Sequence, residues 1–344
     1  MLLISFGTRP EWLKIKSVVN ILEQKRDIPY KLLFTGQHKD IVDEIEYDFI
    51  TLPIGNLDEW NESHTNRLND LTCSIVSEFD FQKDIWEDVT HVLVQGDTAS
   101  AFSIALATFH KQIPILHLEA GMRTNNNKSP FPEEFYRRSI SVMADYHFCP
   151  TKFEVTKLQF EKIDGKKHIV GNTCLNNIRD AKTSCYRKKV LVTLHRRENH
   201  GIMRQLFEVI EGLAVSFPEY EFLLPMHPNP NVQKHKDVFK EVNVCEPLNH
   251  EGFIEELANC MCVITDSGGV QEESTFLGKK VFLCRKQNES ERIDEFTTFI
   301  EDPQELKTEF EKSIGTFENY QYMSSPYGDG DTAEKVYEIL KKII

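Results

Sequence analysis

Residues 265–273 read TDSGGVQEE and hold the first chemistry legible in the chain. A short apolar run at 261–264 precedes them. A helix-like segment follows, stops at Gly278, and gives way to a second apolar run at 281–284. The implied order is strand, turn, helix, strand. Gly268 and Gly269 stand where the chain leaves the strand and opens the helix, and a residue without Cβ lets a ligand approach the backbone closely. The free N–H groups of a helix start favour an anion. Ser267, Gly268 and Gly269 are therefore candidates for holding a diphosphate. The same turn also serves as an ordinary strand-to-helix connection, and Glu272 and Glu273 complement a helix dipole without any ligand. These glutamates are not a capping box, because with Ser267 as N-cap that position falls on Val270.

The elements that would position such a turn recur along the chain. Residues 1–6 read as a buried strand, followed by the turn Gly7-Thr8-Arg9-Pro10-Glu11 and a helix from about Pro10. Residues 30–34 form a strand ending at Thr35-Gly36-Gln37-His38, and the spacing predicts a helix over 40–50. Residues 53–80 read as loop plus helix. A strand at 91–94 ends in Gln95-Gly96-Asp97-Thr98, a helix spans 99–109, and a strand at 113–118 ends in Glu119-Ala120-Gly121. The second series begins after a polar linker at 176–189. Its strand at 190–194 ends in His195-Arg196-Arg197-Glu198-Asn199, and its strand at 221–225 leads to His227-Pro228-Asn229-Pro230. A helix at 252–259 then leads back to TDSGGVQEE. Alternation of this kind is the signature of an α/β fold with doubly wound parallel sheets, whose ligands gather at the carboxyl ends of the strands. The polar motifs fall at those ends. The expectation is two Rossmann-like domains, 1–175 and 176–330, facing a cleft that holds the site. A C-terminal helix, 331–344, would pack back on either domain.

The bulk numbers fit. The 344 residues suffice for two cores, and 40% apolar with 27% charged residues is a globular composition. With 40 basic and 54 acidic residues the formal charge is −14, which argues against a nucleic-acid or anionic-membrane surface. An anionic ligand must then be held by a few local cations and backbone dipoles. The opening MLLISFG has no basic leader or cleavage-site pattern, and no apolar run approaches a membrane span, so a cytoplasmic protein is expected. The eight cysteines are scattered with no Cys-x-x-Cys pair. Buried thiols in a reducing compartment are expected, and no zinc or other metal site. No Gly-x-Gly-x-x-Gly follows the first strand and no Walker A motif is present, so no bound dinucleotide or ATP-driven step is expected.

Taken together the motifs resemble the UDP-N-acetylglucosamine 2-epimerases, and among them the non-hydrolysing bacterial type. The matching pieces are GTRPE at 7–11, QGDT at 95–98, HLEAGMRT at 117–124, FPEEFYRR at 131–138, HRREN at 195–199, HPNP at 227–230, TDSGGVQEES at 265–274 and PYGDG at 326–330. They occur in the family's order over nearly the whole chain. The resemblance implies a glycosyltransferase-B-like fold, a UDP-sugar substrate, no cofactor, a homodimer, and inversion at C2 of the sugar for surface-polysaccharide precursors. It implies elimination of UDP to a bound glycal, followed by re-addition with a proton delivered to the other face of C2. Such chemistry needs carboxylates around C2 and cations with N–H donors on the leaving diphosphate. By the same resemblance Asp97, Glu119 and Glu133 are the catalytic carboxylates and His195 the active-site histidine. Arg9 and Lys14 meet the phosphates, although spacing alone also allows Lys14 a solvated helix face. Arg137, one helical turn after Glu133, is placed to pair with a carboxylate. Ser267 and Gly268, with Gly269, cradle the diphosphate, and Glu273 holds the ribose hydroxyls. Phe253 falls at the uracil-contacting aromatic position, with plain core packing an equal alternative.

Three departures from the family pattern stand out. After the strand at 281–283 the usual Arg, two residues, then Thr-Glu-Arg-Pro-Glu becomes a loop two residues longer over 285–294, and Arg292 is the match for the phosphate arginine only across that gap. The Gln-His-x-Gln patch that binds an activating second UDP-GlcNAc reads Gln37-His38-Lys39-Asp40, and an added negative charge disfavours phosphate. Loss of that activation is therefore expected. The chain is also short between Asp48 and Leu68, which leaves a related UDP-acetamido sugar open as substrate. Three other functions stand beside 2-epimerisation: a hydrolysing epimerase that releases free sugar, a glycosyltransferase, and a nucleotide-sugar sensor.

Overall fold

The computed structural model describes residues 1–54, 64–183, 186–285 and 295–344. The chain divides into two compact units, Met1–Asn176 with Gly330–Ile344, and Asn177–Asp329.

In chain order the first unit holds β1 (Leu2–Phe6), α1 (Arg9–Lys25), β2 (Tyr30–Phe34), β3 (Ile50–Thr51), α2 (His64–Phe81), α3 (Lys83–Trp86), β4 (His91–Gln95), α4 (Ala99–His110), β5 (Ile115–Leu118), α5 (Glu133–Met143), β6 (Tyr146–Cys149), α6 (Lys152–Phe160) and β7 (Lys166–Ile169). The strands form one parallel sheet in the order β3-β2-β1-β4-β5-β6-β7. β1 reads LLISF and is buried along its length, as a parallel strand covered on both faces must be. Its register sets Phe6 beside Phe34 and Ile4 beside Leu93, so the turns after β1, β2 and β4 emerge at one edge. One face packs Leu2, Ile4, Phe6, Trp12, Ile15 and Leu22, and the other packs Leu3, Val92, Val94, Ile104, Ile75 and Phe79.

The second unit holds β8 (Lys189–Thr193), α7 (Met203–Ser216), β9 (Glu221–Pro225), α8 (Pro230–Gln233), β10 (Asn243–Cys245), α9 (His250–Asn259), β11 (Cys262–Thr265), α10 (Gly268–Phe276), β12 (Lys280–Leu283), β13 (Thr297–Phe299) and α11 (Pro303–Ser313). Its parallel sheet runs β10-β9-β8-β11-β12-β13. In both sheets the winding direction reverses beside the first strand, between β1 and β4 and between β8 and β11. Reversal points of this kind open a crevice at the carboxyl ends. The fold is α/β with two Rossmann-like doubly wound units.

The last helix, α12 (Thr332–Ile343), belongs to the first unit. Ala333, Val336, Tyr337 and Leu340 enter the core beside α1, and the Tyr337 hydroxyl donates to Asp27 at 2.6 Å. The expected helix over 40–50 is not formed. Lys39–Glu44 makes a 3₁₀ turn, and Ile45 leaves it in an extended conformation. Ile41 and Ile45 share a helical spacing, but Tyr47 packs edge-on to Trp12 and Phe49 to Phe34. The two aromatic side chains thus pack onto the core beside α1 and β2 from a non-helical segment, and tertiary contact wins over the local pattern. Among the described residues no helix is long and apolar enough to cross a membrane.

Candidate active site at two sheet edges

In the first unit the site is built on the turns after β1, β4 and β5. Thr8 caps α1 in a capping box with Glu11. Gly7 is required by close approach, since a Cβ there would lie 2.1 Å from Ser100 Oγ and 2.2 Å from Thr35 Oγ1. Glu11 is 1% exposed, and its carboxylate accepts from Gly7 N at 3.0 Å, from Thr8 N and Oγ1 at 2.8 Å each, and from Thr98 Oγ1 at 2.8 Å. Burial raises its pKa, and those hydrogen bonds oppose the rise.

Each of the two strand-end carboxylates faces its own cation. Asp97 Oδ2 accepts from Arg137 Nε at 2.8 Å and also from Nη2, and Arg137 is buried. The i,i+3 neighbour Glu134 contacts the same guanidinium at 3.5 Å and accepts the backbone N–H of Thr124 at 2.9 Å and of Asn125 at 3.1 Å. Glu119 Oε2 meets Lys14 Nζ at 2.5 Å and the Gln95 amide. Lys14 is thus salt-bridged and only 24% exposed, which removes the solvated-face alternative. Glu119 has φ +66°, a left-handed conformation that non-glycine residues adopt at a cost of order 1–3 kcal/mol and mostly at functional sites. Glu133 opens α5 and is half-buried, and Arg9 is exposed on the first turn of α1.

The second unit presents donors instead. Asp266, fully buried after β11, accepts from His195 N at 3.0 Å, Arg196 N at 2.9 Å and Asn199 Nδ2 at 3.1 Å. One carboxylate thereby shapes the whole turn after β8. His195 Nδ1 lies 3.6 Å from Asp266 Oδ1, and its ring stacks on His227 with centroids 5.0 Å apart. Burial pushes the His195 pKa below its ordinary value, while Asp266 opposes the shift. Ser267 caps α10 by accepting from Val270 N, and Gly268 and Gly269 follow as its first residues. Arg285 Nη1 lies 3.7 Å from where a Cβ on Gly268 would stand, and Arg285 Nε donates to Glu198 at 3.0 Å. A cation beside a helix N-terminus is unfavourable alone. Glu198 offsets it here, and an anion at the helix start would be held by both.

Of the residues singled out from sequence, the structure joins Asp97 to Arg137 and Glu119 to Lys14, and ties the His195 turn to Asp266, the residue before Ser267. Glu273 is half-buried on the second turn of α10, and Phe253 is half-buried on the first turn of α9. Arg292 and most of the departing loop lie outside the described residues. The sequence reading passed over Glu11, Gln95, Asp266 and Arg285. All four sit inside motifs or loops already quoted, but their partners are set by the fold. Among the described residues no group of three or more His, Cys, Asp or Glu side chains is arranged to hold a metal ion.

A family model described as UDP-N-acetylglucosamine 2-epimerase matches residues 20–341. A relative from Campylobacter jejuni named UDP-N-acetylglucosamine 2-epimerase is 34% identical over 383 aligned residues, covering 99% of this chain and 97% of its own. The crystal structure of UDP-GlcNAc 2-epimerase from Neisseria meningitidis bound to UDP-GlcNAc aligns with TM-score 0.82 and 32% identity, covering 99% of each chain. A ugt transferase from Siraitia grosvenorii shares the fold alone, at TM-score 0.63 and 8% identity, which marks the architecture as glycosyltransferase-B-like. With strand-end carboxylates in one unit and a capped, glycine-opened helix in the other, this chain belongs to the UDP-N-acetylglucosamine 2-epimerase family.

Proposed function

We propose that this chain inverts C2 of a UDP-2-acetamido sugar, UDP-GlcNAc or a close analogue, without a cofactor. The observation that carries the reading is the pair Asp97 and Glu119, fixed at the carboxyl ends of the neighbouring strands β4 and β5 in a chain so similar to a protein crystallised with UDP-GlcNAc. In the forward step the C2 proton passes to a carboxylate, the C1–O bond breaks with its electron pair leaving on UDP, and C1=C2 forms. Re-addition of UDP to C1 and protonation of C2 on the opposite face complete the inversion. Asp97, Glu119 and Glu133 take the proton transfers and stabilise positive charge at C1. The α10 start with Ser267, Gly268 and Arg285 takes the diphosphate, joined by Arg9. His195 serves the leaving oxygen, and being held neutral near physiological pH it can exchange a proton there. Glu273 takes the ribose and Phe253 the uracil. The product feeds surface-polysaccharide precursor synthesis in the cytoplasm, and the working assembly is a homodimer; both rest on the family resemblance.

The test is a proton NMR time course with UDP-GlcNAc in heavy water. Deuterium entering C2 while UDP stays attached is expected. Protium retained at C2 overturns the reading, and free UDP accumulating with a free 2-epimeric sugar replaces it with the hydrolysing reaction.

A further inference from the structure

Asp97 is one residue in a turn, and a turn alone does not hold a carboxylate to the fraction of an ångström that proton transfer needs. Its two neighbours show how it is held. On one side Gly96 has φ +71° and lies just past Gln95, the last residue of β4 paired with β5. Its N–H still reaches back to Leu118 O at 3.0 Å. Its carbonyl is met by His117 Nε2 at 2.8 Å. On the other side Thr98 caps α4 by accepting from Ala101 N at 3.0 Å and donates its hydroxyl to Glu11 at 2.8 Å. His117 is 0% exposed and Glu11 is 1% exposed.

We propose that His117, acting through Gly96, and Glu11, acting through Thr98, are positioning residues that aim Asp97 from both sides while lying buried behind it. This inference rests on the 2-epimerase reading only for its kinetic arm. His117 belongs to β5 and sits two residues before Glu119, so the same strand end sets both carboxylates. A carbonyl only accepts, so Nε2 carries the hydrogen and His117 is the neutral Nε2–H tautomer. The surroundings enforce that state. Burial is the largest influence; His147, paired with it across β5 and β6, and the guanidinium groups of Arg123 and Arg137 all disfavour a second proton. Only the Gly96 carbonyl favours one, and the pKa falls to about 3. Nδ1 is buried with no hydrogen-bond partner, so the ring is held by its single bond to Gly96. A cationic group there would compete with Arg137 for Asp97. A neutral donor fixes the backbone and leaves the ion pair alone.

Three variants separate positioning from simple structural support. His117→Leu removes the donor, and His117→Gln keeps an amide N–H near the position of Nε2. Glu11→Gln replaces an acceptor that faces several donors. With UDP-GlcNAc as substrate, His117→Leu is expected to lower kcat by roughly 10²-fold, the scale of an ångström-sized misplacement. KM and UDP affinity should stay within about threefold. His117→Gln should recover most of that loss, and Glu11→Gln should follow His117→Leu in the kcat-against-KM split. Wild-type kcat in both His117 variants overturns the proposal. So does a fall in kcat, UDP affinity and Tm together in His117→Gln. If His117→Leu fails to fold, His117→Gln and NMR of the wild-type protein still decide. Long-range proton–nitrogen NMR of unliganded wild type should show His117 as the Nε2–H tautomer, unchanged from pH 5 to 9. Titration within that range, or a proton on Nδ1, overturns the clamp even if wild type shows no epimerase activity, so failure of the clamp and failure of the function are told apart.

Discussion

The two sheets share one winding plan and use its edge in opposite ways. At the edge of the first unit, Asp97 and Glu119 are half-buried acids, each tied to one long cation, Arg137 and Lys14. At the edge of the second unit the acid is hidden. Asp266 lies wholly inside and spends its oxygens on the N–H groups of the turn after β8, so what faces outward is histidine, serine hydroxyl and a helix start. One edge presents carboxylates paired with cations, the other a histidine, a serine hydroxyl and the N–H groups of a helix start. A shared fold thus presents different groups at the same strand ends because the partner differs: a cation in one unit, a buried carboxylate in the other.

The comparison breaks most visibly in the rate. Asp97→Asn or Glu119→Gln is expected to lose on the order of 10²–10⁴-fold in C2 exchange by NMR, with UDP binding by calorimetry largely kept. Loss of UDP binding instead would move the anion grip into the first unit. Next is Asp266→Ala. It strands several buried donors, at about 1–3 kcal/mol for each left unpaired, and should lower Tm by several degrees and weaken UDP binding as the His195 turn loosens. A variant with unchanged Tm and affinity would show that the turn holds itself.

Acid should separate the units as well. Burial holds His117 at about 3 and His147 at about 4, against an ordinary value of 6.5. Both bind protons more readily when unfolded. Their contribution is fully present above about 6.5 and is lost as pH falls, most steeply between roughly 6 and 5, where both are protonated mainly in the unfolded chain, at a slope of up to about 3 kcal/mol per pH unit. Acid unfolding followed by calorimetry should therefore begin in the first unit, and His117→Gln should flatten its slope. The smallest effect is expected from Arg285→Ala, which should weaken UDP roughly tenfold, about 1.4 kcal/mol, while Arg285→Lys keeps charge but loses the fork and falls between.

Much of this was legible in the chain itself. The buried strands that run apolar for four or five residues, such as β1, β4 and β11, ended within a residue or two of their expected places, and the polar motifs stood at their carboxyl ends. Short or polar strands were not read. β7 is KKHI and half exposed at a sheet edge, and β10 has three residues. The failed helix after β2 was a correct period overruled by the contacts of Tyr47 and Phe49. The positioning groups were hidden for a different reason. Asp266 meets Arg196 across 70 positions of sequence, and Arg285 meets Glu198 across 87. No local pattern marks a residue whose task is defined by a turn that far away.

The return of α12 to the first unit has a consequence in time. Leu2 and Leu340 share a core, yet all of residues 177–329 is synthesised between them. The second unit has every strand it needs as soon as α11 has been made, and it can fold as it is made. The first unit must wait with the flank of α1 uncovered until Val336, Tyr337 and Leu340 arrive. The first unit, though begun first, is thus the last to be completed, because its core closes only when α12 arrives.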